Sequence, residues 1–214
     1  MNRVKAAVSR QDSDLFQVEE LAIDAPRQDE VLVRFTAAGL CHTDLEVAAG
    51  RMPTPFPVVA GHEGTGVVED VGSAVTGFRP GDRVVASFSF CGTCRNCLSG
   101  RPAYCPQHFS LNFGAQRADG SVGLRDAAGE PVHDHFFGQS SFAGYGLCRP
   151  SSLVRIGSIV GHVAPAVLVP RILDLHGKGR FPLEAMIRAY SLDDIDKAVD
   201  DVRSGVTVKA VLLH

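Results

Sequence analysis

Hydrophobic and polar positions along the first half of the chain alternate in short runs, with no long helical stripe. Residues 4–8 and 16–21 read as short strands. Residues 30–40 alternate and then become continuously apolar, the pattern of a strand that enters a core. Cys41 falls at the end of that run. Residues 44–49 suit a single helical turn closed by Gly50, and Pro53, Pro55 and Pro57 punctuate the loop that follows. Residues 67–71 read as a strand ending at Gly72, and the Pro80-Gly81 turn leads into another that ends at Val85. Short strands separated by Gly/Pro turns at about 8–12 residues favour a partly open barrel. Residues 106–140 are irregular and polar, with turns expected at Gly114, Gly120, Gly123 and Gly129. Residues 141–147 and 152–156 read as closing strands. Helical spacing appears only late, at 165–175 with Gly177 as stop and at 192–202. Ser191 is the expected N-cap of that second helix, two acids fill its first turn and Gly205 ends it. Residues 206–213 form the last predicted strand.

Composition narrows the class. A chain of 214 residues holds one large or two small domains, and at this size about 70% of the unfolded surface becomes buried. The formal charge is −3, with acids and bases interspersed. No basic patch or aromatic–basic interleaving points to nucleic acid. Residues 1–15 lack an apolar run of signal-peptide length, and no stretch approaches a membrane span. A cytoplasmic location is therefore expected, without a membrane partner. In a reducing compartment, six cysteines are expected as metal ligands or buried thiols rather than disulfides.

Two cysteine patterns carry chemistry. Cys91-x2-Cys94-x2-Cys97-x7-Cys105 can surround one tetrahedral ion without a long loop closure, and four protein ligands would make that site closed and structural. Zinc is the expected occupant; an iron–sulfur cluster is the main rival. The second pattern pairs Cys41 with His62, 21 positions apart, so only strand pairing can bring them together. Each has a carboxylate nearby, Asp44 and Glu63, and glycines at 39, 61 and 64 permit close backbone approach. From its position, the Thr43 hydroxyl could reach a metal-bound oxygen. A catalytic zinc typically takes three protein ligands and an exchangeable water. Two ligands are evident, and Glu63, Cys148 or a second water would complete the shell. The bland reading of Cys148, a buried strand thiol, is the favoured one.

The strings GLCHTDL, GHEGTGVVEDVG, FRPGDRVV and CGTCRNCLSGRPAYC follow in order. Together they resemble the catalytic domain of the zinc-dependent medium-chain alcohol dehydrogenases. NFGAQRADGS and HFFGQSSFA resemble the aryl (benzyl) alcohol dehydrogenase branch. The resemblance implies a mainly β fold with some α: a GroES-like, partly open barrel with a zinc lobe at 91–105 and C-terminal helices. It implies a catalytic zinc at Cys41 and His62, and a structural zinc at Cys91, Cys94, Cys97 and Cys105. It also implies that Thr43 relays a proton from a primary or aromatic alcohol, that His42 faces a cofactor phosphate or continues the relay, that Asp44 orients His62, and that Glu63 sits behind the zinc. In the intact family, hydride passes to NAD.

The departure from the family pattern is large. The run ending at Ile156 passes directly into a stretch resembling the end of the family's Rossmann domain. No G-x-G-x-x-G accompanies a βαβ pattern, and the third family zinc ligand is missing with that domain. The implied division is a catalytic domain at 1–156, a nucleotide-domain remnant at 157–180 and a C-terminal return at 181–214. The expectations are poor NAD binding, little dehydrogenase activity and self-association through an orphaned apolar face at 160–175. The rival functions are a zinc-stabilised, non-redox binding scaffold and a hydrolytic or lyase-like zinc–water site.

Overall fold

The structure, a computed structural model, describes residues 2–11, 15–156, 174–180, 184 and 186–214. Residues 165–173 of the predicted helix and most of the 157–180 remnant lie outside these residues; 174–177 are helical.

Two sheets form the body. In the first, β1 (Asn2–Ser9) pairs antiparallel with β2 (Phe16–Ile23) over its full length, and β4 (Val58–Val59), β7 (Leu124–Arg125) and β8 (Pro131–Val132) extend it in the order β4-β1-β2-β7-β8. The second sheet centres on β3 (Val31–Leu40), which pairs with β5 (Gly64–Val71), β9 (Tyr145–Cys148) and β12 (Lys209–Leu213). Beyond β5 lie β6 (Arg83–Ala86) and β10 (Leu153–Arg155), and beyond β12 lies β11 (Ile187–Ser191). Residues 142–144 join the sheets: Ala7 N–H donates to Phe142 O at 2.8 Å, and Phe35 N–H to Gly144 O at 3.0 Å. The result is a nearly closed, barrel-like body, in keeping with the barrel that the strand pattern predicted.

The alternation in β9 sorts its side chains. Leu147 enters the main core with Phe136, Phe142, Leu40 and Leu212, while Cys148 enters a smaller cluster with Val31, Val33, Phe35 and Val84. The described helices include α1 (His42–Ala48), α2 (Arg95–Leu98), α3 (His108–Phe113) and α4 (Ile195–Arg203). α4 links β11 to the parallel β12, burying Ile195, Ala198 and Val199 against the body.

Several boundaries differ from the pattern. The last strand starts at Lys209 rather than 206, leaving Val206 and Val208 exposed. β11 (IRAYS) is exposed except at the buried Tyr190, so it shows no alternation to mark it as a strand. A short 3-10 turn, Leu192–Asp194, precedes α4, and Ser191 Oγ hydrogen-bonds Asp194 Oδ2 at 2.8 Å instead of capping a backbone N–H. The 106–140 stretch holds α3, β7 and β8 between its turns.

Candidate metal centres

The Cys91 lobe folds as a turn around its own sulfurs. Backbone N–H groups of Cys94 and Cys97 donate to the sulfurs of Cys91 and Cys94 at 3.4 and 3.5 Å. The Cys91–Cys97 and Cys94–Cys97 sulfur separations are 3.8 and 3.4 Å. Four sulfurs about 2.3 Å from one tetrahedral ion lie about 3.8 Å apart, so this geometry suits zinc. The lobe's electrostatics agree with that fit. Backbone N–H groups of Thr93 and Cys94 hold the Cys91 thiol down to about 6. Desolvation and the neighbouring thiols push Cys97 up to about 12. Four sulfurs in contact cannot all ionise without a cation among them.

The second centre is assembled by β3, α1 and the start of β5. Cys41 follows the last residue of β3 and caps α1; His62 and Glu63 precede Gly64, where β5 begins, and Gly64 pairs with Ala38. One ligand atom from each of Cys41, His62 and Glu63 lies within 4.8 Å of the others. Asp44, fully buried in α1, ties the two segments together. One of its oxygens accepts from Cys41 N–H at 3.0 Å; the other accepts from Gly61 N–H at 3.0 Å and faces His62 Nδ1 at 3.1 Å. That contact occupies Nδ1 and leaves Nε2 as the ring nitrogen available to a ligand. Burial opposes a charge on His62, but Asp44 outweighs it, with Cys41 and Glu63 adding to the effect, and raises its pKa to about 9. The donor set of thiolate, imidazole and carboxylate fits zinc.

The remaining candidates divide. Thr43 Oγ1 lies 3.9 Å from Cys41 Sγ. His42 points to solvent, 79% exposed, with Nε2 3.2 Å from Glu46 Oε1. Glu63 forms an ion pair with Lys209 of β12, a partner that sequence reading missed because 146 residues separate them. Cys148 is fully buried in the smaller core cluster and lies apart from both centres. Burial pushes its thiol above the ordinary range.

A cavity of about 390 Å³ opens beside the second centre, lined by His62, Glu63, Val85, Ser87, Phe88 and Phe137 among others. Phe137 lies against His62, ring centroids 4.7 Å apart, and Phe113 and Phe136 pack behind it. Among the described residues no nucleotide-binding sheet stands between β10 and β11. The string at 61–66 with glycine spacing opens a strand rather than a helix, so it is not the turn that seats a dinucleotide pyrophosphate.

A GroES barrel carrying a four-cysteine lobe and a cysteine–histidine centre defines the catalytic domain of zinc-type medium-chain alcohol dehydrogenases. The profile of the alcohol dehydrogenase GroES-like domain matches residues 27–158, and the chain belongs to that family. It is 50% identical over 154 residues to a geraniol dehydrogenase of Castellaniella defragrans, an alignment that covers 72% of this chain and 41% of that protein. It therefore spans about two-fifths of that relative's length. Its backbone superposes on an alcohol dehydrogenase zinc-binding domain protein from Burkholderia ambifaria with a TM-score of 0.92 at 28% identity, covering 99% of each chain. Benzyl alcohol dehydrogenase from Acinetobacter calcoaceticus shares the fold, with a TM-score of 0.88 at 23% identity over 100% of this chain and 99% of that one.

Proposed function

We propose that the chain is the zinc-binding catalytic half of an alcohol oxidoreductase and, as it stands, does not oxidise alcohols with NAD. The observation that carries this is the convergence of Cys41, His62 and Glu63 beside a cavity that His62 and Glu63 line together with Phe88 and Phe137. Cys91, Cys94, Cys97 and Cys105 would hold one zinc that braces the lobe. Cys41, His62 and Glu63 would hold a second, weaker one, Glu63 taking the place of the third family ligand.

Zinc bound there supplies Lewis acidity to a ligand oxygen. The chain's own residues do the rest. Asp44 fixes the ring of His62. Phe88 and Phe137 give an apolar seat to a small alcohol or aldehyde, aromatic ones included. Thr43 is placed to hold the hydroxyl proton, and exposed His42 is placed to pass it to water. Hydride transfer needs an acceptor held at roughly 3–3.5 Å, and positioning of that kind is worth about 7–11 kcal/mol. The described residues build no holder for a nicotinamide.

Residues 1–156 and 181–214 form the working domain in this reading, and the segment between them replaces a nucleotide domain. All six cysteines are free of disulfides, which suits a reducing cytoplasm. No described helix is long and apolar enough to cross a membrane. Self-association through residues 160–175 belongs to the same proposal, and light scattering over a range of concentrations tests it.

The test of function is elemental analysis followed by an assay of zinc-loaded protein with saturating NAD and benzyl alcohol. Two zincs per chain and no NADH are expected. NADH production abolished by Thr43→Ala or His62→Ala would overturn the inactive reading. A single zinc, resistant to Cys41→Ser, would favour the scaffold reading.

A further inference from the structure

Gln139 is wholly buried and lies outside both ligand sets. Its side-chain amide spends all its hydrogen bonds on the backbone around the second centre. Oε1 accepts from Gly64 N–H at 3.0 Å, while Nε2 donates to His62 O at 2.8 Å and to Ser87 O at 3.0 Å. His62 O and Gly64 N flank Glu63, so one amide holds the peptide units on both sides of a candidate ligand. The Ser87 contact ties the same amide to a wall of the aromatic cavity.

The segment that presents Gln139 is costly to build. His135, Phe137, Gly138 and Ser140 all have positive φ, at 66°, 52°, 69° and 51°. Non-glycine residues in that region are strained and cluster where function over-determines the backbone. Polar anchors hold the segment at both ends. Ser140 Oγ donates to Val59 O at 2.6 Å and accepts from Phe136 N–H at 2.9 Å, and Ser152 Oγ donates to Gly138 O at 2.9 Å. Backbone bonds from Ser141 N–H to Gly61 O at 2.9 Å and from Phe142 N–H to Ala60 O at 3.1 Å continue the pairing. Within this frame, Gln139 supplies an acceptor and two donors at the places where neighbouring backbone would otherwise pair.

We propose that Gln139 is a positioning residue for the Cys41–His62–Glu63 centre, its amide fixing the backbone on both sides of Glu63 so that His62 and Glu63 meet one metal ion. This rests on the reading of that centre as a metal site. No other uncharged side chain of that length offers an acceptor and two donors together. Gln139→Met keeps length and bulk but loses all three bonds. Gln139→Glu keeps the acceptor and sets a carboxylate against two carbonyls. Groups that orient metal ligands typically contribute 10–100-fold in metal affinity.

The chain carries its own control, because none of the side-chain hydrogen bonds of Gln139 goes to the four-cysteine lobe. Metal-free full-length protein is titrated with cobalt(II), and the two centres are followed by their different ligand-field and sulfur charge-transfer bands. The wild type should take two ions. Both variants should fill the four-cysteine lobe normally, and their affinity at the Cys41 centre should fall about 10–100-fold with an altered spectrum. Two ions with unchanged spectrum and affinity in both variants would overturn the positioning role. Loss of both ions together would also overturn it, assigning Gln139 to the fold at large. A wild type that takes one ion would overturn the metal reading itself.

Discussion

Asp44 and Glu63 show how two carboxylates so close to one centre diverge. Asp44 is sealed in α1 and spends its oxygens on Cys41 N–H, Gly61 N–H and His62, so it is a brace and not a ligand. Glu63 keeps one strong partner, Lys209, and stays within reach of Cys41 and His62. Glu63→Gln removes the carboxylate of the Cys41–His62–Glu63 group. It is expected to leave one zinc per chain after dialysis against a mild chelator, where the wild type keeps two; elemental analysis checks this. A second residue-scale prediction concerns the buried cluster below the barrel. Arg117 forks onto Glu30 at 2.6 and 3.1 Å. His135 Nε2 sits 3.1 Å from Glu30, and its Nδ1 lies 2.9 Å from Asp134, an ion-pair distance without hydrogen-bond alignment. Burial opposes the charge on His135, but Asp134 and Glu30 outweigh it and raise its pKa to about 9. Burial likewise opposes ionised Glu30, but His135 and Arg117 hold it far below its ordinary 4.5. Glu30 therefore contributes stability above about pH 4.5 that is lost on acidification. His135 contributes fully below about pH 6.5 and loses its share as pH rises through 9. Glu30→Gln should cost about 3–5 kcal/mol near pH 6, with the deficit shrinking toward pH 9 and pH 4, read from urea midpoints.

At the scale of elements, the second centre depends on how closely β5 approaches the 139–142 segment. Gly61 has φ of 90°, and a Cβ there would lie 2.6 Å from Phe142 N and from the Phe142 ring. Phe142 is fully buried and meets Phe16 edge-on at 5.6 Å, so it has no room to retreat. Gly61→Ala should therefore destabilise the fold by at least about 1–3 kcal/mol and weaken the second metal site in the same variant. Thermal unfolding with and without zinc measures both effects, and an unchanged melting temperature would contradict the packing argument. α1 illustrates the complementary case. It is only seven residues long, too short to persist alone, and is held by the bonds of Asp44 and by burial of Leu45 and Val47.

For the molecule as a whole, the lobe and the barrel are separable in energy. The lobe contributes few buried apolar side chains: Leu98 and Tyr104 are exposed, and Cys105 is its one buried residue. Its order is therefore expected to depend on a bound ion. Structural zinc in small peptides is worth about 10–16 kcal/mol, so Cys97→Ser should disorder residues 91–105 while the barrel stays folded. Hydrogen exchange resolved by segment distinguishes this from global unfolding. Uniform loss of protection across β3 and β5 would contradict it.

What the sequence determined by itself was local and chemical. Four cysteines at short spacing name their own site, because few residues separate them and no distant strand is needed. Alternation in 31–40 and the Pro-Gly turn at 80–81 placed β3 and β6, because a half-buried strand imposes period two. The family strings carried the barrel and the pairing of Cys41 with His62. Only the tertiary structure decided the rest. It set Lys209 against Glu63, buried Cys148 in a separate cluster, turned His42 outward and brought Gln139 to the backbone of the second centre. Gln139 lies 75 residues from Gly64. Its left-handed neighbours are Phe137 and Ser140 as well as a glycine, so no residue-type signal marks the turn. A contact of that kind follows from which strands pair, and pairing is settled by burial of the whole apolar surface at once.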